Sequence, residues 1–238
     1  MHNARQHPLE IHHLSHDLRG PLNSILGFAE LLLEGIEGPL NDIQTEDINA
    51  IYQSAQNLLL LINNVVDISK LEAGQLNFDF GPVNLGKILR DVSIFEFGSI
   101  KPKQLEVIIN HNPDLPWLWG DRNYIEQMLL DLLRFAFKIK RSGKITLTPR
   151  ASAQRVTFQV TIPNITMPTA VLDSLFELIV QVDAAGRSEL GQGGLELPLV
   201  RRLAEGHQGR VWAEQSDTSG LNLYLELPIH HTAADKTD

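Results

Sequence analysis

The chain has 238 residues, 43% of them apolar and 21% charged, which is enough hydrophobic material for a packed core in one large or two small domains. Lys plus Arg total 20 against 29 Asp plus Glu, a net charge of −9 that argues against unspecific nucleic-acid binding, which needs clustered cations. Cysteine is absent, so disulfide scaffolds, thiolate metal sites and cysteine nucleophiles are excluded as well.

The first elements read as two long amphipathic helices. Ile11, Leu14, Leu18, Pro21, Ile25, Phe28 and Leu32 recur at alternating spacings of three and four, which is a heptad seam. Pro21 sits within it and removes a backbone donor, which predicts a kink. After the breaker Gly35-Ile36-Glu37-Gly38-Pro39-Leu40, a second seam runs through Ile48, Ile51, Ala55, Leu58, Ile62 and Val65. Leu22, Leu59 and Val66 widen both stripes. A single hairpin cannot bury stripes this wide on both helices, so pairing into a dimeric four-helix bundle is expected.

Glu72-Ala73-Gly74-Gln75 reads as a helix end and linker, and from there short strands and helices alternate. Phe78–Phe80 is predicted as a strand, Asn84–Ser93 as a helix capped by Asn84, and Leu105–Ile109 as a strand. Asp121–Lys140 carries a helical pattern in Ile125, Met128, Leu129, Leu132, Leu133 and Ala136. Lys144–Thr148, Arg155–Thr161, Arg210–Ala213 and Leu221–Leu227 read as strands, and Leu195–Gly206 as a helix. Trp117 and Trp119 are expected in core or hinge packing ahead of a cap at Asp121, and the tail after His230 is polar. The fold class is α+β: a helical hairpin, then a mixed sheet with helices on one face. No apolar run nears the roughly 18 residues that span a bilayer, and the N-terminus lacks a signal-peptide stretch. A cytoplasmic protein without membrane or nucleic-acid partners is expected.

Chemistry concentrates first at Ser15-His16-Asp17-Leu18-Arg19-Gly20-Pro21-Leu22-Asn23. With Ile11 at heptad position a, His16 falls at f, away from the seam, where a neutral imidazole is available as a nucleophile beside the Asp17 carboxylate. His12 and His16 lie one helical turn apart, but no further ligands have zinc spacing, so a histidine-rich exposed face is the plainer account and no metal site is assigned.

The run His16-Asp17-Leu18-Arg19-Gly20-Pro21-Leu22 resembles the phosphoacceptor box of the histidine kinase family, and Asp67-Ile68-Ser69-Lys70-Leu71-Glu72-Ala73-Gly74 resembles that family's exit from the bundle. The resemblance implies that His16 is phosphorylated, that Asp17 is the assisting acid/base, and that Arg19 offers charge to the phosphoryl oxygens. It implies a dimerisation and phosphotransfer domain over residues 1–74, an ATP-binding-type α/β sandwich over 75–230, and a polar tail at 231–238. Gly20 stands where the family has the Thr or Asn that positions water for phosphatase chemistry.

The second domain departs further. In Gln127–Lys138, Phe135 replaces the family's Mg²⁺-holding asparagine; Asp131 stands at the first asparagine position and Lys138 at the family's lysine. In Ile162–Pro168, Ile162 replaces the adenine-reading Asp, and Asn164 and Thr166 replace glycines. In Gly191–Pro198, Gly194 keeps a glycine, whereas Glu196 replaces one and adds a carboxylate near the expected triphosphate. Around these boxes, Leu175-Phe176-Glu177, Gln181-Val182-Asp183, Leu199–Leu203 and His207–Val211 keep the family's pattern. Phe135 and Phe137 are expected to fill the space of a closed pocket.

The sequence expectation is therefore a dimeric histidine phosphotransferase with a degenerate ATP-binding domain and no bound ATP. It would relay phosphoryl groups between response-regulator receivers through a phosphohistidine at His16, with Mg²⁺ supplied by the receiver. With the phosphoacceptor helix so near the first residue, a mid-relay component is expected rather than a receptor. The alternatives are an ATP-dependent autokinase using Asp131, Lys138 and the Gly191–Gly194 loop, and a non-catalytic pseudokinase scaffold.

Overall fold

The structure is a computed structural model that describes residues 7–36, 38–94, 104–110, 112, 114–178, 180–182, 188–190 and 194–229; the side chains of 7–14, 16, 72, 180–182 and 188–190 lie outside the description. The chain divides after Leu76 into two compact units.

The first unit is a hairpin of α1 (His7–Leu33) and α2 (Asp42–Glu72). α1 continues through Pro21. α2 starts at a complete capping box: Asn41 accepts from the Gln44 N–H at 2.9 Å, and the Gln44 side chain accepts from the Asn41 N–H at 3.0 Å. Leu22, Ala29, Ala55, Val66 and Ile68 are buried. Of the seam residues expected to meet, Leu18, Ile25, Phe28, Ile51, Leu58 and Val65 are instead exposed in the single chain, Phe28 by 68%. The widening residues thus fill the hairpin, and most of the predicted seam faces outward as an apolar stripe.

The second unit contains β1 (Gly81–Asn84), α3 (Leu85–Ile94), β2 (Gln104–Ile109), β3 (Trp117–Gly120), α4 (Arg122–Ile139), β4 (Ser142–Ala151), β5 (Arg155–Ile162), α5 (Thr169–Ser174), β6 (Val180–Val182), β7 (Ser188–Leu190), α6 (Glu196–Gly206), β8 (Arg210–Ser216) and β9 (Gly220–Pro228). Five strands form one sheet in the order β2-β4-β5-β9-β8, with β2–β4 parallel and the other pairs antiparallel. β5 alternates as period 2 requires: Val156, Phe158, Val160 and Ile162 are buried against α4, while Thr157, Gln159 and Thr161 face the other way. Leu221, Leu223, Leu225 and Leu227 of β9 extend that buried face towards α6.

Several expectations shift. Phe78–Phe80 is no strand; the pairing starts at Gly81, where β1 meets β3 in an antiparallel ladder from Gly81↔Gly120 to Asn84↔Trp117. Phe78 and Phe80 instead pack their rings on His207, with centroids 4.9 and 5.1 Å away. Trp117 is exposed on β3 and not in the core. The tail at 231–238 lies outside the described residues.

Candidate functional site

In the hairpin, His16 lies on α1, its side chain outside the description, and Asp17 beside it is exposed. Arg19 donates to Asn63 Oδ1 from Nε at 3.1 Å and from Nη2 at 2.8 Å, a fork that ties α1 to α2 one turn from His16. Burial pushes the Asp67 carboxyl up from its ordinary range, against the lowering fields of Lys70 and Arg19. Gly20 leaves open space: nothing lies within 4 Å of where a Cβ would stand. Among the described residues no group of three or more His, Asp or Glu is placed to hold a metal.

In the second unit, α4 and α6 carry the residues that matter, and one buried network sets both helices. Asp121 caps α4, accepting from the N–H groups of Asn123 and Tyr124 at 2.9 and 3.3 Å and from Asp79 at 2.8 Å. The Asp121 N–H donates to His207 Nε2 at 3.1 Å, and His207 Nδ1 donates to the Leu203 carbonyl at 2.8 Å. That tautomer keeps the imidazole neutral, and burial pushes its pKa below the usual histidine value. The start of α4 is thereby fastened to the end of α6. The sequence carries no local signal for this role of His207, because Phe78 and Phe80, which enclose it, lie far away along the chain.

α4 then delivers four positions singled out by sequence. Phe135 and Phe137 are buried in the core, each 1% exposed. Phe135 therefore supplies no ligand at the metal position. Asp131 is fully buried; Oδ1 accepts from Arg134 Nη1 at 2.7 Å, while Oδ2 has no hydrogen-bond partner. Burial raises its pKa to about 6, with Arg134 opposing and Glu196 adding to the rise. Lys138 Nζ reaches Glu196 Oε1 at 2.5 Å and so joins α4 to the first residue of α6. The orphaned Asp131 oxygen and the Lys138 ammonium are the group types that a hard cation and its phosphates take, but the oxygen is fully buried and the ammonium is paired with Glu196, and Phe135 offers no donor.

The backbone has kept what the residue types seemed to lose. Asn164, in place of a glycine, adopts the left-handed conformation at φ 60, which asparagine tolerates, and Gly194 sits at φ 60 as well. Lys140 Nζ holds the Pro163 carbonyl at 2.8 Å, and Gln215 clasps the following turn through the Met167 N–H and the Ile165 carbonyl. Thr166 is exposed, and Ile162 is buried at the end of β5, where it offers no polar atom. Residues 191–193 lie outside the description. The structure thus brings together Asp131, Lys138, Gly194 and Glu196, with Phe135 and Ile162 in the core.

Residues 9–74 match the His Kinase A (phospho-acceptor) domain family, and residues 120–231 match the histidine kinase-, DNA gyrase B- and HSP90-like ATPase family. The circadian input-output histidine kinase CikA of Synechococcus elongatus is 30% identical over 90% of this chain and 29% of its own length. The chain therefore spans under a third of that relative. The crystal structure of full-length ShkA in complex with AMPPNP is 28% identical, with a TM-score of 0.71 over 95% of this chain and 47% of that one. The structure of the histidine kinase ThkA in complex with the response regulator TrrA shares the fold at 20% identity and a TM-score of 0.60, covering 95% of this chain and 64% of that one.

These findings overturn the expectation of a phosphotransferase with a degenerate domain and no ATP. The ATPase family matches across all three altered boxes, and a relative of the same fold holds an ATP analogue. The physical reason is that such a site is built as much from backbone conformation and helix placement as from side chains. Here Asn164 and Gly194 supply left-handed turns, and the Asp121–His207 network fastens α4 to α6. No helix among the described residues is long and apolar enough to cross a membrane.

Proposed function

This chain belongs to the histidine kinase family, and from that premise we propose that it is the catalytic core of a sensor histidine kinase that phosphorylates His16 with ATP. The single observation that carries the reading is the phosphoacceptor and ATPase pairing on one chain, whose fold resembles that of the AMPPNP-bound relative. Residues 1–74 act as the dimerisation and phosphotransfer domain, and residues 75–230 as the ATP-binding domain.

In the reaction, a His16 ring nitrogen attacks the γ-phosphorus, an N–P bond forms as the bond to the bridging oxygen breaks, and ADP leaves. Asp17, adjacent and exposed, takes the ring proton or holds the tautomer that presents the free nitrogen. Arg19, fixed by Asn63, places positive charge one turn away for the phosphoryl oxygens. In the ATP-binding domain, Lys138 would meet the phosphates once it parts from Glu196, and Asp131, whose Oδ2 has no hydrogen-bond partner, would hold the divalent cation. Mg²⁺, when bound, neutralises phosphate charge that this acidic chain would otherwise repel.

The outward apolar stripe of α1 and α2 supports a homodimer, because burying it in a second copy removes it from water. A receiver domain of a response regulator is the next phosphoryl acceptor, and the family fold shared with the ThkA–TrrA complex supports that partner. We place the reaction in the cytoplasm, where ATP is supplied.

Binding is tested by melting the chain with and without Mg²⁺ and AMPPNP, followed by tryptophan fluorescence. All three tryptophans, Trp117, Trp119 and Trp212, lie in the second unit, so the signal reports that unit alone. A ligand at about 100 times its Kd stabilises by roughly 2.7 kcal/mol and raises the melting temperature. An unchanged melt at millimolar AMPPNP would remove the ATP reading.

A further inference from the structure

The residue that departs most from the family pattern in charge, Glu196, is not left loose at the edge of the site. Its side chain is 5% exposed and its Oε1 accepts from Lys138 Nζ at 2.5 Å, while Lys138 itself remains about half exposed. The other carboxylate oxygen is seated too. A Cβ on Gly194 would lie 2.4 Å from Glu196 Oε2 and 3.4 Å from Lys138 Nζ, and Gly194 stands at φ 60. At that φ a glycine is favoured, and its missing side chain leaves room for the carboxylate beside Lys138 in the turn ahead of α6.

A carboxylate held by an ammonium at the first turn of a helix has the chemistry of a bound phosphate oxygen. It is anionic, it takes a charge-assisted hydrogen bond from Lys138, and it complements the positive end of the helix. Glu196 opens α6, and the cap residue Leu195 makes no side-chain capping bond, so no other side chain from the cap takes that role. Arg134, the other cation of the cluster, is bound to Asp131 Oδ1. Nearby, the buried Asp131 Oδ2 lacks a hydrogen-bond partner. An incoming triphosphate therefore finds Lys138 already engaged by the Glu196 carboxylate.

We propose that Glu196 is an intrachain competitor for the nucleotide's phosphates: its ion pair with Lys138 is an autoinhibitory contact that ATP must open to bind. The inference rests on the ATP reading above and deepens it. In this chain the third box encodes a built-in counter-anion in place of the close backbone approach that a glycine allows. It sets a weak resting affinity, since Lys138 is free for phosphate only when the pair opens. Selectivity follows as well, because a ligand gains from opening the pair only if it brings phosphates to replace the carboxylate.

The test is calorimetric titration of ATP, ADP and AMP, each with Mg²⁺, into the full chain as wild type, Glu196→Gln, Lys138→Gln and the double variant. Glu196→Gln keeps the side-chain shape and removes the charge. It is expected to tighten ATP by about tenfold, equal to ~1.4 kcal/mol, ADP by less, and AMP not at all. The gain should vanish in the Lys138→Gln background. Glu196→Asp, one methylene shorter, should give an intermediate gain and keeps the test available if the amide variant folds poorly. ATP affinity unchanged or weakened in Glu196→Gln would overturn the competition and leave the pair as a tie between helices. An equal gain for AMP, or a full gain without Lys138, would overturn it too. If wild type and variant bind ATP equally, only this inference fails; if neither binds any nucleotide, the ATP reading fails with it.

Discussion

Replacing Phe135 by alanine tests whether this position is core or an adaptable pocket wall. The ring is 1% exposed on α4, the face that also buries Met128, Leu129, Leu132 and Ala136. A Phe→Ala change at such a site costs about 3–5 kcal/mol, the transfer term plus the cavity left behind. For a unit of this size each kcal/mol shifts the melting temperature by roughly 2–4 °C, so a fall of about 6–20 °C is expected. Urea unfolding followed by tryptophan fluorescence measures it, because every tryptophan belongs to this unit. A loss below about 1 kcal/mol would show that the ring lines a space that readily collapses or fills. Phe135 would then not be part of the packed core of α4.

Asn41→Ala removes the capping box of α2 and should destabilise the hairpin by about 1 kcal/mol, read by its helical circular dichroism; no change would mean that the box of Asn41 and Gln44 is idle in solution. His207 is neutral when folded and its pKa is lowered by burial, so below pH 6.5 the unfolded chain takes up the proton first. Its contribution to stability is therefore complete above pH 6.5 and is lost as pH falls towards the folded pKa. The tryptophan-detected melt should drop over that window in wild type and drop less in His207→Gln, and an identical pH profile in both would contradict the network. On the outward stripe, Phe28→Glu together with Ile51→Glu should convert a dimer to a monomer by light scattering, whereas a dimer that persists would place the interface elsewhere.

Long, strongly periodic elements were legible. α4 shows in the spacing from Ile125 to Ala136 behind an aspartate cap, and β5 in strict alternation, because both periods are imposed by burial on one face. Short elements were not. Phe78 and Phe80 alternate like a strand, yet their rings are held by His207 and Tyr124, contacts that local pattern cannot reveal. β3 went unread because its four residues pair only with β1, and α5 because it spans six residues. In the hairpin, periodicity found the apolar positions but could not tell the surface buried within one chain from the surface left for a second.

The site was half legible for a related reason. His16, Asp17 and Arg19 stand out because their run is contiguous. The nucleotide end is less legible, because residue types do not report backbone conformation or tertiary pairing. Sequence shows that Asn164 is not glycine; it does not show that the backbone there still turns at φ 60. It shows Glu196 as a repulsive charge, but not that Lys138, 58 residues earlier, neutralises it. Both are properties of tertiary placement.

The central claim is ATP-driven phosphorylation of His16, and the direct measurement is incubation of the full chain with γ-labelled ATP and Mg²⁺. Label should appear on the wild-type chain in a form labile to acid and stable to base, map to His16, and be absent from His16→Ala. A wild-type chain that takes no label from ATP, or a His16→Ala chain that takes as much, would contradict the account.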